Sequence, residues 1–588
     1  MTLPAPGLDI TIGRVYNSRN REEGILGKGW TFSYEGSVIA SGGFAEVYMP
    51  DGQVQNYLEV DPNQTSPKFY KGMNSRSELV YYQNTDSYEL EFKDKTKYGF
   101  EKIGNKYLLS YIEDCYGNEI TITHLSDGKV DTIKDKNNRT IQISYPNTTT
   151  VNVTDSVSSR TVSYSLNNDN ILETVTDANG NESYKYTYGS TSERLEKVEA
   201  TVKIENGSPV REVIDDMVYS DAGRISKHTD MYGKESVFTY SPGKTTTVST
   251  INGESRKTVD MFDQSYAINE IVGHDGQKTV IEYFTEIDGV VELNKYNEIK
   301  SIKDIYGNKT SYQRDENGNT TKVINPDGSQ KEYGYYTDEA RENLVKWEKD
   351  EENNYTYYDY NTSRLLQAKY VYRTKVTNTP YPEIGSLNNT NSIITTYEYR
   401  SDGQIKNTIE PNHYETQVKT IYDYYPDGML QRITDPEGKS VEYTYNSSRL
   451  LESEKIQLGG SSTYISTWYE YDKNGNLERK TLCDSDSLST ASTKSIERYV
   501  YDVSGRLIQE ISPNLYNPAD DNIQGHTYNE TDVGYRYEYK DGSDLVEKET
   551  DPEGNFTEYT YDENANVLTK KESDLNVVGG TNGTTYRY

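Results

Sequence analysis

Across 588 residues there are only 2 cysteines, 3 tryptophans, 9 phenylalanines and 5 histidines. Cys115 and Cys483 are too few for a disulfide framework or a zinc site of their own. Apolar runs are as scarce as thiols. None approaches the roughly 18 residues of a membrane-spanning helix. The opening Met1-Thr-Leu-Pro-Ala-Pro-Gly7 has neither the basic end nor the apolar stretch of a signal peptide, so export would use sequence outside these residues. Positive charge is also short: 62 Lys+Arg stand against 94 Asp+Glu, a net charge of −32, with no basic block. Nucleic acid is thereby disfavoured as a partner, because phosphate neutralisation needs clustered Lys and Arg. Hydrophobic residues reach 33% and mean hydropathy is −0.90, values close to those of disordered chains.

What is abundant is tyrosine, with 57 copies, and disordered chains are depleted in aromatics. Helical periodicity is nearly absent. Instead, Gly/Asn/Asp clusters punctuate the chain about every ten residues, separated by short runs of Thr, Val, Ile and Tyr in period-two alternation, an all-β pattern. Asp435-Pro-Glu-Gly-Lys-Ser-Val-Glu-Tyr-Thr-Tyr445 recurs as Asp551-Pro-Glu-Gly-Asn-Phe-Thr-Glu-Tyr-Thr-Tyr561. Looser copies begin at Asp114, Asp230, Asp304 and Asn325, and 21 residues separate the last two. A second turn type alternates with the first, at Tyr501-Asp-Val-Ser-Gly-Arg-Leu507, Tyr471-Asp-Lys-Asn-Gly-Asn-Leu477, Tyr219-Ser-Asp-Ala-Gly-Arg-Ile225 and Tyr561-Asp-Glu-Asn-Ala-Asn-Val567. One unit is therefore strand, turn, strand, turn.

Asp or Asn at the first turn position can accept backbone N–H groups two residues on, Pro presets φ, and Gly supplies positive φ. Along Ser440 to Tyr445 the alternation puts Val441, Tyr443 and Tyr445 on one face. Tyr443, Tyr445, Tyr559 and Tyr561 are expected on one common wall face. Rings stacked between successive hairpins would each add about 0.2–1 kcal/mol, so the repeats hold one another up as in other arrays.

Tyr501-Asp-x-x-Gly-Arg-Leu507 resembles the hallmark of YD repeats. The opening Gly7-Leu-Asp-Ile-Thr-Ile-Gly-Arg14-Val-Tyr16-Asn17-Ser18, with Leu26-Gly27-Lys-Gly29-Trp30, resembles the segment that precedes the repeats in bacterial Rhs proteins. The chain thus looks like a member of the Rhs/YD-repeat family, which includes wall-associated and polymorphic toxins, toxin-complex B and C subunits, and teneurins. The resemblance implies a repetitive antiparallel sheet spiralling into a hollow shell, with residues 1–110 as a β-rich opening and 111–588 as the array. It marks Tyr219, Gly223, Arg224, Tyr471, Asp472, Gly475, Tyr501, Asp502, Gly505, Arg506 and Leu507 as repeat signature. Arg14, Tyr16, Asn17, Ser18, Gly27, Gly29 and Trp30 form the N-terminal signature. The closing Asp-Pro-x-Gly-Leu core motif of bacterial shells is not matched: Asp435-Pro-Glu-Gly438 and Asp551-Pro-Glu-Gly554 continue with Lys439 and Asn555 and read as ordinary turns. The chain stops at Thr585-Tyr-Arg-Tyr588, where the next turn is due, which reads as an array cut before its end.

No catalytic residue is expected. His124, His228, His274, His413 and His526 are scattered, none beside a nucleophile elbow or a zinc-binding helix, and His124 takes the place of Tyr445 in its repeat. Asp177-Ala-Asn-Gly-Asn181, Asp315-Glu-Asn-Gly-Asn319 and Asp472-Lys-Asn-Gly-Asn476 resemble the front of a calcium loop. Gly falls at position 4 instead of 6 and no Glu follows at 12, so they read as hairpin turns, with weak surface calcium the only cofactor left open. Insertions at Thr374–Ser392, Cys483–Lys494 and Ser512–Asn529 read as extended hairpin loops. Two functions are carried forward. One is a non-catalytic shell of a secreted bacterial toxin that encloses or presents a C-terminal effector. The other is a cell-surface module binding glycans or proteins. Both place the chain outside the cell or on its surface.

Overall fold

The computed structural model describes all residues except 6, 21, 74, 191–192, 265, 285–296, 374–382, 412–416, 459–463, 517–533, 574–583 and 588. Residues 374–382 of the first insertion and 517–529 of the third, together with His413 and His526, lie outside the described residues. Cys483–Lys494 is described and is a hairpin loop closed by pairing of Cys483 with Lys494.

The fold is all-β. From Ser37–Ser41 onward, each strand pairs antiparallel with the next along the chain to Thr584–Arg587. The turn chemistry is the cause. Asp435 Oδ1 accepts the N–H groups of Glu437 and Lys439 at 2.9 and 2.8 Å. Asp551 repeats this at Glu553 and Asn555, and its other oxygen takes the Asn555 side-chain amide at 2.8 Å. Gly438 and Gly554 sit at φ +83 and +89, where a side chain would strain the turn.

The first part of the sheet closes on itself. Strand Lys106–Glu113 pairs along one edge with Lys97–Ile103 and divides its other edge between two partners. Tyr111 to Glu113 pair with Glu119–His124, whereas Tyr107 and Leu108 pair with Val38 and Ser37. Eight strands between Ser37 and Glu113 therefore form a ring. Side chains fill it, Tyr57, Leu79, Leu90, Phe100 and Leu109 all being fully buried, as an eight-stranded barrel allows.

Beyond Glu113 the sheet is an open strip whose strands splay at one edge. Pairing of Val546–Thr550 with Phe556–Tyr561 ends at Lys548 opposite Glu558, leaving the Val546 carbonyl beyond the ladder. The Tyr561 hydroxyl donates to that carbonyl at 2.6 Å. The same wedge recurs from Tyr335 to Thr320, Tyr471 to Leu451 and Tyr539 to Leu507, at 2.7–2.9 Å, and again at Tyr145, Tyr240, Tyr283, Tyr399 and Tyr424. Tyr559 and Tyr561 do stack on one face, with centroids 6.3 Å apart. The expected ring-on-ring contact between strands is found inside the ring, as at Tyr81 and Tyr88, and along the array at Tyr336 and Tyr360 and at Tyr425 and Tyr445. Along the array the recurrent tyrosine contact is hydroxyl to backbone.

The strip coils. Its two edges meet between residues about 300 apart: Asn137 donates to the Asp427 carbonyl, Ser504 to the carbonyl of Thr201 in the strand Leu195–Glu205, and the Asn252 N–H to Glu563. At each of these contacts the later turn lies 23 strands after its partner. Tyr335→Phe should cost about 1–3 kcal/mol, the range for leaving a buried carbonyl unmade. Tyr306→Phe at an exposed turn should be neutral; urea midpoints of the two variants provide the check.

Candidate functional site: the repeat joint, the seam and the N-terminal seat

The repeat signature assembles one joint between neighbouring hairpins. In Tyr501 to Leu507, Asp502 caps the turn by accepting the Arg506 N–H at 2.9 Å and holds the Arg506 side chain at 2.7 Å. That guanidinium lies 4.7 Å from the ring centroid of Tyr539, whose hydroxyl reaches the Leu507 carbonyl. Arg224 stacks on Tyr240 in the same way, at 5.0 Å, and the Tyr240 hydroxyl reaches Ile225. Tyr219 receives Arg194 at 5.7 Å, and burial pushes its phenol up to about 12. Gly223, Gly475 and Gly505 occupy φ +72, +99 and +82. Tyr471 supplies the hydroxyl to the preceding hairpin, and burial raises the Tyr501 phenol. The signature contacts described here thus stay within one turn or join adjacent hairpins.

Two of the three calcium-like turns face each other across the seam. Asn179 donates to Asp472 and Asn474 to Asp177, both at 2.9 Å, while their side-chain carbonyls accept the Lys473 and Ala178 N–H groups at 3.1 and 3.0 Å. The contact is reciprocal, like two hands of the same kind clasped. Asp472 also caps its own turn through the Gly475 and Asn476 N–H groups. Nearby, Arg449 pairs with Asp135 at 2.8 Å, with 9% and 3% of their side chains exposed. Burial works against the Asp155 carboxylate, yet bonds from Arg139, Ser158 and the Val157 N–H hold its pKa low.

The N-terminal signature packs onto the strands from Thr161–Leu166 to Leu195–Glu205. Arg14 donates from Nε and Nη2 to the Tyr186 hydroxyl at 3.0 and 2.6 Å. Its guanidinium sits 5.3–5.7 Å from the rings of Tyr164, Tyr184 and Tyr186. Trp30 packs on Tyr186 and donates to the Tyr188 hydroxyl at 2.8 Å. Tyr16 accepts the Leu195 N–H, and Asn17 donates to the Gly52 carbonyl; Ser18 follows in a turn. Gly27 is obligatory: at φ +88, a Cβ would stand 2.1 Å from the Asn170 carbonyl oxygen. A Cβ at Gly29 would meet the Tyr16 ring at 2.7 Å. The family resemblance marked these residues, but only the folded sheet shows that Arg14, Tyr16 and Trp30 contact strands more than 150 residues away.

A cavity of about 650 Å³ opens where this segment meets the ring, lined by Glu22, Glu35, Tyr48, Lys106, His124 and Lys129 among others. Glu35 is half-buried and accepts the Ile25 and Phe32 N–H groups at 2.8 and 3.0 Å, and desolvation pushes its carboxyl up to about 6. His124 occupies a tyrosine position, as its sequence suggested. Here, however, the fork that a tyrosine wedges elsewhere is entered by the ring-closing strand, and the Leu109 N–H bonds the Gly36 carbonyl. Burial pushes the imidazole down to about 4, against a smaller opposing pull from Asp131.

Arg14→Lys loses the forked donor and should destabilise the N-terminal segment by about 2 kcal/mol, read as faster proteolysis within residues 1–36. His124 stays neutral in the fold while the unfolded chain takes up a proton below about 6.5, so its contribution is lost as pH falls from 6.5 towards 4. Glu35 has the opposite sign, its charge costing stability as pH rises from 4.5 through 6. His124→Phe should therefore gain on wild type as pH drops from 7 to 4.5, checked by unfolding curves of both proteins across that range.

A family model described as a domain of unknown function, DUF6531, matches residues 1–57. No curated protein matches the chain. Among solved structures, the chain is similar to the TcdB2–TccC3 complex without its hypervariable C-terminal region, at TM-score 0.41 and 12% identity over 92% of this chain and 30% of that one. It is also similar to the Photorhabdus luminescens Tc holotoxin pore, at TM-score 0.37 and 12% identity over 99% and 31%. The N-terminal domain of SpvB from Salmonella typhimurium aligns at TM-score 0.14 and 12% identity, over 48% and 93%. The chain spans about 30% of the length of the first of these structures.

Proposed function

We propose that the chain is a structural wall: a coiled sheet of YD-type hairpins that surrounds a cargo, carries out no chemistry of its own, and works outside the cell. The observation that carries this reading is the surface. The chain exposes 31964 Å², whereas a compact monomer of 67.2 kDa exposes about 21,000 Å². Fully buried aliphatic side chains crowd the first 205 residues and thin out afterwards, where strands are half-exposed on both faces. A single sheet wetted on both sides has that signature. With 23 strands per turn at about 4.8 Å spacing, the circumference is roughly 110 Å and the backbone diameter roughly 35 Å. Less about 10 Å of side chains, the lumen admits a polypeptide. The acidic balance of 94 to 62 suits a basic cargo and equally suits solubility. The sequence resemblance to Rhs proteins favours a C-terminal effector as that cargo.

Small-angle scattering should give a radius of gyration clearly above the ~25 Å of a compact chain of this length, with a shell-like pair-distance profile; a compact value would sink the hollow wall. A small reporter tethered after Tyr588 through a protease site should survive added protease when attached and be degraded when free. Equal degradation would remove enclosure from the reading.

A further inference from the structure

Asparagine followed by glycine is chemically fragile. The glycine nitrogen, with no Cβ beside it, can attack the asparagine Cγ and close a cyclic imide, provided that its N–H and the side-chain amide are both free to move. Asn582-Gly583 lies outside the described residues. The other pairs, at Asn179, Asn206, Asn252, Asn317 and Asn474, share the dipeptide and divide by structure.

At Asn179, Asn317 and Asn474 both groups are tied. Gly180, Gly318 and Gly475 donate their N–H groups back to the Asp177, Asp315 and Asp472 carbonyls at 3.0–3.1 Å. Asn179 and Asn474 grip each other's turns through side-chain nitrogen and oxygen alike, and Asn317 donates to Glu342 at 3.1 Å. At Asn206 and Asn252 nothing is tied. Asn206-Gly207 and Asn252-Gly253 are whole two-residue hairpin loops, joining Leu195–Glu205 to Ser208–Tyr219 and Lys244–Ile251 to Glu254–Phe262. Both asparagines are exposed, at φ +50 and +53, and among the described residues neither their side-chain amides nor the glycine N–H groups have a hydrogen-bond partner. The two loops differ in what lies opposite. Asn252 stands on the seam, its backbone N–H donating to Glu563 Oε2 at 2.7 Å, whereas Asn206 makes no bond across the seam among the described residues.

We propose that Asn206 and Asn252 are sites of spontaneous deamidation, and that at Asn252 the change loosens the seam. The Gly253 nitrogen gives up its proton and bonds to the Asn252 Cγ, and the side-chain nitrogen leaves as ammonia. Water then opens the imide at either of its carbonyls, giving aspartate or isoaspartate. Each product sets a new carboxylate against that of Glu563, whose neighbour Asp562 is already acidic, so the bond from the Asn252 N–H is opposed by like charge. Isoaspartate also lengthens the backbone of a loop that has only two residues to give. Arg256, on the same hairpin, already serves Asp562. At Asn206 the same chemistry leaves the seam untouched, so the chain carries its own control.

Peptide mapping by mass spectrometry of the full chain, aged in mildly alkaline buffer, tests the first half. Asn206 and Asn252 should convert roughly ten-fold faster or more than Asn179, Asn317 and Asn474, whose reaction waits on local opening. In concentrated urea, where only the shared dipeptide counts, the rates should converge. Equal rates in the folded chain, or a gap that persists in urea, would overturn the assignment. Hydrogen–deuterium exchange tests the second half with defined variants. Asn252→Asp should speed exchange in the Asp562 to Asn566 turn by roughly two-fold or more, and adding Glu563→Gln, which keeps an acceptor without the charge, should reverse it. Asn206→Asp should exchange there as wild type does. An Asn252→Asp chain indistinguishable from wild type, or one that Glu563→Gln fails to relieve, would overturn the effect on the seam.

Discussion

A sheet that curves must open its strands at one edge, and each opening strands a backbone carbonyl. Leaving such a group unmade costs about 1–3 kcal/mol, and an array of hairpins meets that cost again in every unit. Tyrosine resolves it within one side chain: the ring fills the fork, and the hydroxyl at its far end reaches the carbonyl, as Tyr561 does at Val546. Phenylalanine fills the fork but leaves the carbonyl bare. That difference favours tyrosine over phenylalanine at these forks. Arg506 and Arg224 complete the joint by covering the rings of the tyrosines that follow them.

With its hairpins joined through hydroxyls, the sheet needs no second layer. Hydrogen bonds and half-buried rings hold each hairpin to its neighbours, so a chain with 33% hydrophobic residues folds into an ordered wall. Among the described residues, aliphatic core is concentrated where two layers meet, with a small second cluster at Tyr355, Tyr357 and Leu387. The ring between Ser37 and Glu113 packs its own interior, and residues 1–36 lie against the strands around Tyr164 to Leu195. Arg14 belongs at that meeting: enclosed by three tyrosine rings and bonded to one hydroxyl, its cation has partners that a second polar layer would otherwise supply.

Turn chemistry, the period and the tyrosine addresses were legible in the sequence because each depends on residues within one hairpin. Asp435 and Asp551 cap as the spacing of Asp, Gly and Asn implied. The acceptor of each tyrosine hydroxyl was not legible, since it sits on the preceding hairpin and becomes free only when strands splay. The 23-strand offset depends on accumulated twist, which no local motif encodes. Asp177 to Asn181 and Asp472 to Asn476 were legible as turns, and even as look-alikes of each other, but their mutual clasp depends on that offset. His124 reads as a simple substitution until the ring-closing strand is seen entering its fork.

The offset also explains where the chain tolerates length. Turns of the first coil that face the second are short, at Asp114, Asp135, Asp177 and Asp230, because a longer loop would separate edges held by bonds such as that from Asn137 to Asp427. The edge of the second coil facing away from the seam has no such neighbour among the described strands, and there the loops lengthen, as between Cys483 and Lys494 and between Tyr372 and Ser392. Loop length along this chain is thus set by what lies one coil away.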